Sequence, residues 1–265
     1  MDGTRRLRGL AHAHSTRSFD GALTYAELRR TFRGAGLDFA CMTEHIEELT
    51  QPDIDAIIAD CRAHSDGEFL FIPGIEMDCF TIYFLGLSTA TVDFRDNRTI
   101  FDSLRPHARL CVLSHPIKAG YRYPDWVVRQ CDAVEILNTK HDGRFYFRPQ
   151  SERLLARVRR SRPEVVPVVG MDFHQPDQLA PIHMRLTEAG PLTGDFVLGA
   201  LARGRVDFYD GERRMRDVGA VARGVARARI HAMDAAHVAN RWLRGRGIKL
   251  PKVIRRALSR TLEGG

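Results

Sequence analysis

The chain is predicted to be an α/β protein, a closed or distorted TIM-like β/α barrel of seven or eight strands with a helical C-terminal extension. Three observations predict it. Apolar strand-like runs alternate with helix-like segments from residue 7 to about residue 209, the pattern of α/β proteins with a mainly parallel sheet. Histidines and carboxylates gather directly after those runs, where a barrel carries its active-site loops. No Gly-rich dinucleotide fingerprint or phosphate-binding P-loop is present, which argues against an open nucleotide-binding sheet.

The strand-like runs are residues 7–11, 38–43, 69–73, 81–87, 110–114, 133–137, 165–170 and 205–209. Between the first two, Thr24-Tyr25-Ala26-Glu27 is a capping box that opens a helix, and Gly34 or Gly36 can close it. Thr50-Gln51-Pro52-Asp53 opens the next, with proline where a first turn tolerates it. Helical spacing recurs over residues 150–160 and 196–202. After Asp210 the composition shifts: over 212–235 and 248–262 alanine and arginine dominate, with apolar residues at helical spacing and no strand-like run. The predicted division is a barrel over residues 1–210 and a basic helical extension over residues 211–265.

With 265 residues, 44% of them hydrophobic and 28% charged, the chain can bury one sizeable core. Arg5, Arg6 and Arg8 are followed by only a short apolar step before His12, so no signal peptide is expected. No stretch is apolar for long enough to span a bilayer, and a cytoplasmic protein is expected. Cys41, Cys61, Cys79, Cys111 and Cys131 are odd in number, form no C-x-x-C and mostly sit in apolar runs. They read as reduced core residues, with a thiolate metal site as the lesser alternative. The net charge of +7 favours anionic partners without choosing among phosphoesters, nucleic acids and acidic membranes.

The chemistry sits at the strand ends. His12-Ala13-His14 follows the first run, and in an extended backbone alternate residues face one side, so both imidazoles can reach one metal. Asp20 lies in the loop beyond. Glu44-His45 closes the second run, Glu76 follows the third, His115 ends the fifth, and Asp172-Phe173-His174 repeats the alternate spacing after the seventh. A single histidine at a strand end is more often a hydrogen-bonded surface or core residue than a ligand. Two alternate pairs joined by His45, Glu76 and His115 at matching positions point instead to a metal cluster, of zinc, manganese or iron.

The ordered set His12-x-His14, Asp20-Gly21, Thr43-Glu44-His45, Pro73-Gly74-Ile75-Glu76, Ser114-His115-Pro116 and Gly170-Met171-Asp172-Phe173-His174 resembles the polymerase and histidinol phosphatase (PHP) superfamily over about the first two hundred residues. The resemblance implies a distorted seven-stranded β/α barrel that holds two or three divalent metals and hydrolyses phosphoesters. It implies that His12, His14, Glu76 and Asp172 hold a first metal, Glu76 and His115 a second, and Asp20, His45 and His174 a third. Two departures stand out. Glu44 replaces the family's usual aspartate, a longer carboxylate that can still buttress an imidazole. Tyr83 stands where the family carries a further metal-binding histidine. Either Tyr83 coordinates as a phenolate, which favours iron, or the second position binds weakly and two metals suffice.

Such a site hydrolyses phosphoesters because a cation lowers the pKa of water towards neutrality and neutralises phosphoryl oxygens. His12, His14, Glu76, His115 and Asp172 are the residues expected to carry the reaction. Cationic side chains on the same loops are candidate phosphate contacts: Arg17, Lys118, Arg122, Lys140, His141, Arg144 and Arg148. Each also reads as an ordinary solvated loop residue. Glu135 and Asn138 are expected to orient ligands or to serve structural hydrogen bonds. The resemblance covers small-molecule phosphatases, nucleotide phosphatases and exonucleases, and a chain without a dedicated insert favours a small phosphomonoester or a nucleotide end. The basic extension would reach a nucleic acid or an acidic membrane surface, or pack as an amphipathic helix on the barrel. Two rival readings are a metal-dependent amidohydrolase and a catalytically impaired phosphate-binding module.

Overall fold

The computed structural model describes residues 5–89, 91–143 and 146–246. The chain opens with β1 (Arg8–Ala13) and α1 (Tyr25–Gly34). The expected capping box forms at the start of α1: the Thr24 side chain accepts from Glu27 N while Glu27 reaches back to Thr24 N. A strand broken by one residue follows as β2 (Phe39–Met42) and β3 (Glu44–His45), then α2 (Gln51–Ala63), begun by the Thr50/Asp53 box and Pro52. A second broken strand, β4 (Leu70–Ile72) and β5 (Gly74–Met77), is interrupted at Pro73, which has no N–H for the ladder. At Gly74 a Cβ would lie 2.3 Å from Phe84 O and 2.4 Å from Met42 O, so only glycine lets the three strands approach.

β6 (Ile82–Leu85) comes next, then α3 (Asn97–Leu104), β7 (Leu110–Leu113), α4 (Asp125–Val128), β8 (Ala133–Asn138), α5 (Thr139–Asp142), α6 (Pro149–Val158) and β9 (Val166–Phe173). The chain continues through β10 (Ile182–Leu186), α7 (Gly194–Ala202), β11 (Val206–Asp210), β12 (Arg213–Arg214) and α8 (Ala220–Gly245).

Among the described residues the ladders join into one 12-stranded sheet that is mixed rather than mainly parallel. β1 pairs in parallel with β2 and β9, β7 and β9 with β8, β2 with β4, and β3 with β5. β6 runs antiparallel to both β5 and β7. Only the short turn 78–81 links β5 to β6, too short for a helical crossover, so the expected parallel strand over 81–87 is half of a hairpin. β10, β11 and β12 add an antiparallel flap on β1.

α8 begins at Ala220, after a short strand and a single 3-10 helical turn (Met215–Asp217) where helix was expected over 212–219, and it continues without a break to Gly245. The second expected helical stretch, 248–262, lies outside the described residues. Ile230 and Met233 on α8 are buried, and Arg227 and Asp234 pair with Glu152 and Arg148 of the α6 region. No helix among the described residues is long and apolar enough to cross a membrane.

Candidate metal centre

Five histidines and three carboxylates converge at the ends of β1, β3, β5, β7, β8 and β9. His12, His14, His45, Glu76, His115, Glu135, Asp172 and His174 are all buried. His12 Nε2 stands 3.1 Å from Glu76 Oε2 and 3.6 Å from Asp172 Oδ1. His14 Nε2 stands 3.4 Å from the same glutamate oxygen and 3.5 Å from the same aspartate oxygen. Donors held tetrahedrally at about 2.0–2.1 Å from one cation lie roughly 3.3–3.4 Å apart, so these separations outline a cage of metal size.

The backbone is bent to achieve this. His12, His115 and Asp172 have positive φ of 66°, 20° and 52°, a region L-residues rarely occupy. The ladders of β1 with β2 and β9 slip at His12. The pair His12/His14 therefore meets its partners through a bulge, not through the plain extended alternation expected. Such strain collects where a site over-determines its residues.

Carboxylates behind the histidines fix which ring nitrogen faces inward. Glu135 Oε1 lies 3.2 Å from His12 Nδ1, and its other oxygen accepts from His115 N at 2.6 Å and from Asn138 Nδ2 at 3.0 Å. Gly170 makes room for it: a Cβ there would lie 1.7 Å from Glu135 Oε1 and 2.9 Å from His12 Cβ. Glu44 accepts from Ser15 Oγ and Ser18 Oγ, each at 2.6 Å. The Ser18 proton is thus committed to Glu44, so at 3.2 Å His14 Nδ1 must be the donor to Ser18 Oγ. That leaves the Nε2 lone pair of His14 aimed at two carboxylates, an arrangement that calls for a cation between them.

Burial and neighbouring charge pull the ionisable groups of the cluster in opposite directions. Burial pushes His14 down to about 3, and burial also lowers His141 and His174, so these imidazoles are neutral donors. Burial opposes a charge on His12, but Glu76, Asp172 and Glu135 together outweigh it and hold that imidazole well above its ordinary value. Burial likewise works against ionised Glu76 and Asp172, yet the surrounding imidazoles, His12 foremost, hold both well below the usual carboxylate range.

A second lobe forms around Asp20, whose Oδ2 lies 2.9 Å from His174 Nε2 and whose Oδ1 lies 3.6 Å from His45 Nε2. His14 stacks between His45 and His174, with centroids 4.4 and 4.1 Å away. A third involves Glu76 Oε1, 2.8 Å from His115 Nε2. Tyr83 faces Glu76 in register and lays its ring edge against His12, and its buried hydroxyl has no hydrogen-bond partner among the described residues. Burial drives its pKa well above the ordinary phenol value.

The expected phosphate contacts divide. Lys140 Nζ donates to Asp172 Oδ1 at 3.2 Å, and His141 Nε2 lies 2.8 Å from Asp172 Oδ2. Lys118 is at the rim, 3.4 Å from Asp78. Arg17 pairs with Asp60, and Arg122 is exposed. Arg148 is buried between Asp142 and Asp234, each 2.8 Å away. Arg144 lies outside the described residues.

Asp78 is an addition that sequence reasoning missed, with Oδ2 3.7 Å from His45 Nδ1. Glu76-x-Asp78 repeats the alternate spacing of the two recognised pairs, the signal that could have found it. Cys41, Cys61, Cys111 and Cys131 are buried and Cys79 is exposed. No cluster of potential metal ligands among the described residues includes a thiol.

No protein-family model and no curated protein matches the sequence. Among solved structures, the chain is similar to a two-domain protein from Bacteroides vulgatus containing a predicted PHP-like metal-dependent phosphoesterase. The TM-score is 0.60 at 18% identity, covering 81% of this chain and 67% of that one. Looser matches are PsfC from Pseudomonas syringae, with TM-score 0.49, 15% identity and coverage of 88% and 100%, and a candidate metal-dependent phosphoesterase from Bifidobacterium adolescentis, with TM-score 0.39, 14% identity and coverage of 63% and 88%. The likeness shows a shared mixed α/β fold, and the buried His, Glu and Asp side chains form clusters that could hold metal ions.

Proposed function

We propose that the chain is a PHP-type metal-dependent phosphoesterase acting on a small phosphomonoester or a nucleotide end. One observation carries the proposal: His12 Nε2 and His14 Nε2 each stand 3.1 to 3.6 Å from both Glu76 Oε2 and Asp172 Oδ1, so two imidazoles face two buried carboxylates. In this reading His12, His14, Glu76 and Asp172 hold the first metal, Glu76 and His115 contribute to a second, and Asp20, His45 and His174 hold a third. The barrel reading is supported by the ladders: taken across Thr43 and Pro73, they run from β1 through β2/β3, β4/β5, β6, β7, β8 and β9 and back to β1.

Bound divalent ions supply Lewis-acid charge and bring the pKa of water towards neutrality. The protein's part is positioning. Glu135 and Ser18 aim His12 and His14 inward, and Glu76 offers its two oxygens to different sides of the cluster. Lys140, with about a third of its side chain exposed and its Nζ beside Asp172, offers a phosphate oxygen a hydrogen-bond donor. Lys118 offers another at the rim.

The amidohydrolase alternative shares the alternate pair of histidines after the first strand. Glu76 after the third run and the Asp172/His174 pair, both drawn into the cluster, favour the phosphoesterase. For α8, the buried Ile230 and Met233 favour a packing role over an anionic partner. Comparing RNA and liposome binding of the full chain with a chain ending at Asp210 tests this, since binding lost with the extension would reverse it. Elemental analysis with a panel of phosphomonoesters, oligonucleotides, lactones and amides tests the activity. Metal-dependent release of phosphate is the expected result, and turnover of lactones or amides alone overturns the reading.

A further inference from the structure

We propose that His141 is a metal ligand of this chain, forming with His115 and Asp172 a site that makes good the donor missing at Tyr83. The inference rests on the metal-centre reading above. One donor atom from each of His115, His141 and Asp172 lies within 4.8 Å of the others. His141 Nε2 is 2.8 Å from Asp172 Oδ2, the oxygen that does not face His12 and His14, so one carboxylate spans two cation positions. The His141 ring meets the His115 ring edge-on with centroids 4.9 Å apart, and His115 reaches Glu76 Oε1 at 2.8 Å. Both carboxylates of the first position are thereby shared with this one.

The backbone beneath His141 is locked to the same group that holds the other ligands. Asn138 Oδ1 accepts from Lys140 N at 3.2 Å and His141 N at 3.3 Å, while Asn138 Nδ2 donates to Glu135 at 3.0 Å. Glu135 in turn holds His12 and the backbone of His115. A residue placed this rigidly beside two ligands is built for coordination more than for an adaptable substrate contact. Tyr83 lies against His12, ring edge to ring with centroids 4.8 Å apart, and its hydroxyl must shed its proton before it can bind a cation well. A neutral imidazole needs no such step.

The test is a metal count on the full chain, stripped with chelator and reloaded with Zn(II) or Mn(II). His141→Gln, which keeps an amide able to bond Asp172, is expected to bind one ion fewer than wild type, or one ion more than about tenfold more weakly. Tyr83→Phe is expected to keep the wild-type count. His141→Ala should regain the lost ion when free imidazole is added, and circular dichroism of the stripped variants checks that they fold. An unchanged count and affinity in folded His141→Gln, or loss of the ion in Tyr83→Phe instead, overturns the assignment and leaves the phosphoesterase reading standing. A wild-type protein that binds no metal overturns both.

Discussion

Glu135 Oε1 stands 3.2 Å from His12 Nδ1, and both side chains are fully shielded from solvent. The contact makes Glu135 the orienting carboxylate of the cluster, because its second oxygen also holds the backbone of His115. Glu135→Gln keeps the shape and removes the charge. Metal affinity is expected to fall by about 10–100-fold, the usual cost of losing such a partner. A competition titration against a chromophoric chelator measures it, and a change below threefold would reduce Glu135 to a space-filling role.

Gly170 is the clearance for that contact. A methyl at this position would overlap Glu135 Oε1 and press on His12 Cβ. Gly170→Ala is therefore expected to destabilise the fold by about 1–3 kcal/mol through overpacking and to weaken metal binding in parallel. Denaturant melts of the stripped protein, read beside the titration, separate the two effects. An affinity equal to wild type would show that Glu135 can yield without disturbing His12.

Much of this candidate site was legible in the sequence because its histidines and carboxylates come as alternate pairs at strand ends. His12/His14 and Asp172/His174 announced themselves by spacing, and His45, Glu76 and His115 by position. The strained backbone at His12, His115 and Asp172 was not legible, since nothing in residue type demands a left-handed conformation there. β10 was missed although Ile182, Met184 and Leu186 are buried at every second residue, because so short an alternation lies beside a loop of Gln, Pro and Asp. The antiparallel direction of β6 was implicit in its short link to β5, which strand-counting alone ignores. Arg148 shows the limit of reading charge from composition: a loop arginine looks solvent-facing until the fold supplies Asp142 and Asp234.

Removing the metals should cost stability as well as activity. Glu76, Asp172 and Glu135 are buried within a few ångströms of one another's imidazole partners, and on the metal-centre reading a cation held among them would bind the folded state alone. For one site at a free metal concentration 100 times its Kd, the linkage is about 2.7 kcal/mol, or roughly 5–10 °C in Tm for a domain of this size. Chelator is expected to lower Tm by that order and to abolish phosphate release, with both restored by Zn(II) or Mn(II). A melt unaffected by chelation would mean that the cluster is balanced by its own protons and not by metal.

Arg148 distinguishes structure from substrate binding. Its guanidinium is buried between Asp142, also buried, and Asp234, about a third exposed. Arg148→Ala strands a carboxylate inside the protein, and breaking a buried pair in this way typically costs about 3–5 kcal/mol. Burial already pushes the Asp142 carboxyl up to about 7, above its value in the unfolded chain. The folded state therefore holds a proton that the unfolded chain sheds, and stability drains away as pH rises through that window. Loss of Arg148 raises the folded value further, so the gap between variant and wild type is expected to be wider at pH 8.5 than at pH 5.5. Thermal melts at the two pH values measure it, with KM for a phosphomonoester determined alongside. A raised KM with an unchanged melt would return Arg148 to the phosphate-binding role that its place in the sequence suggested.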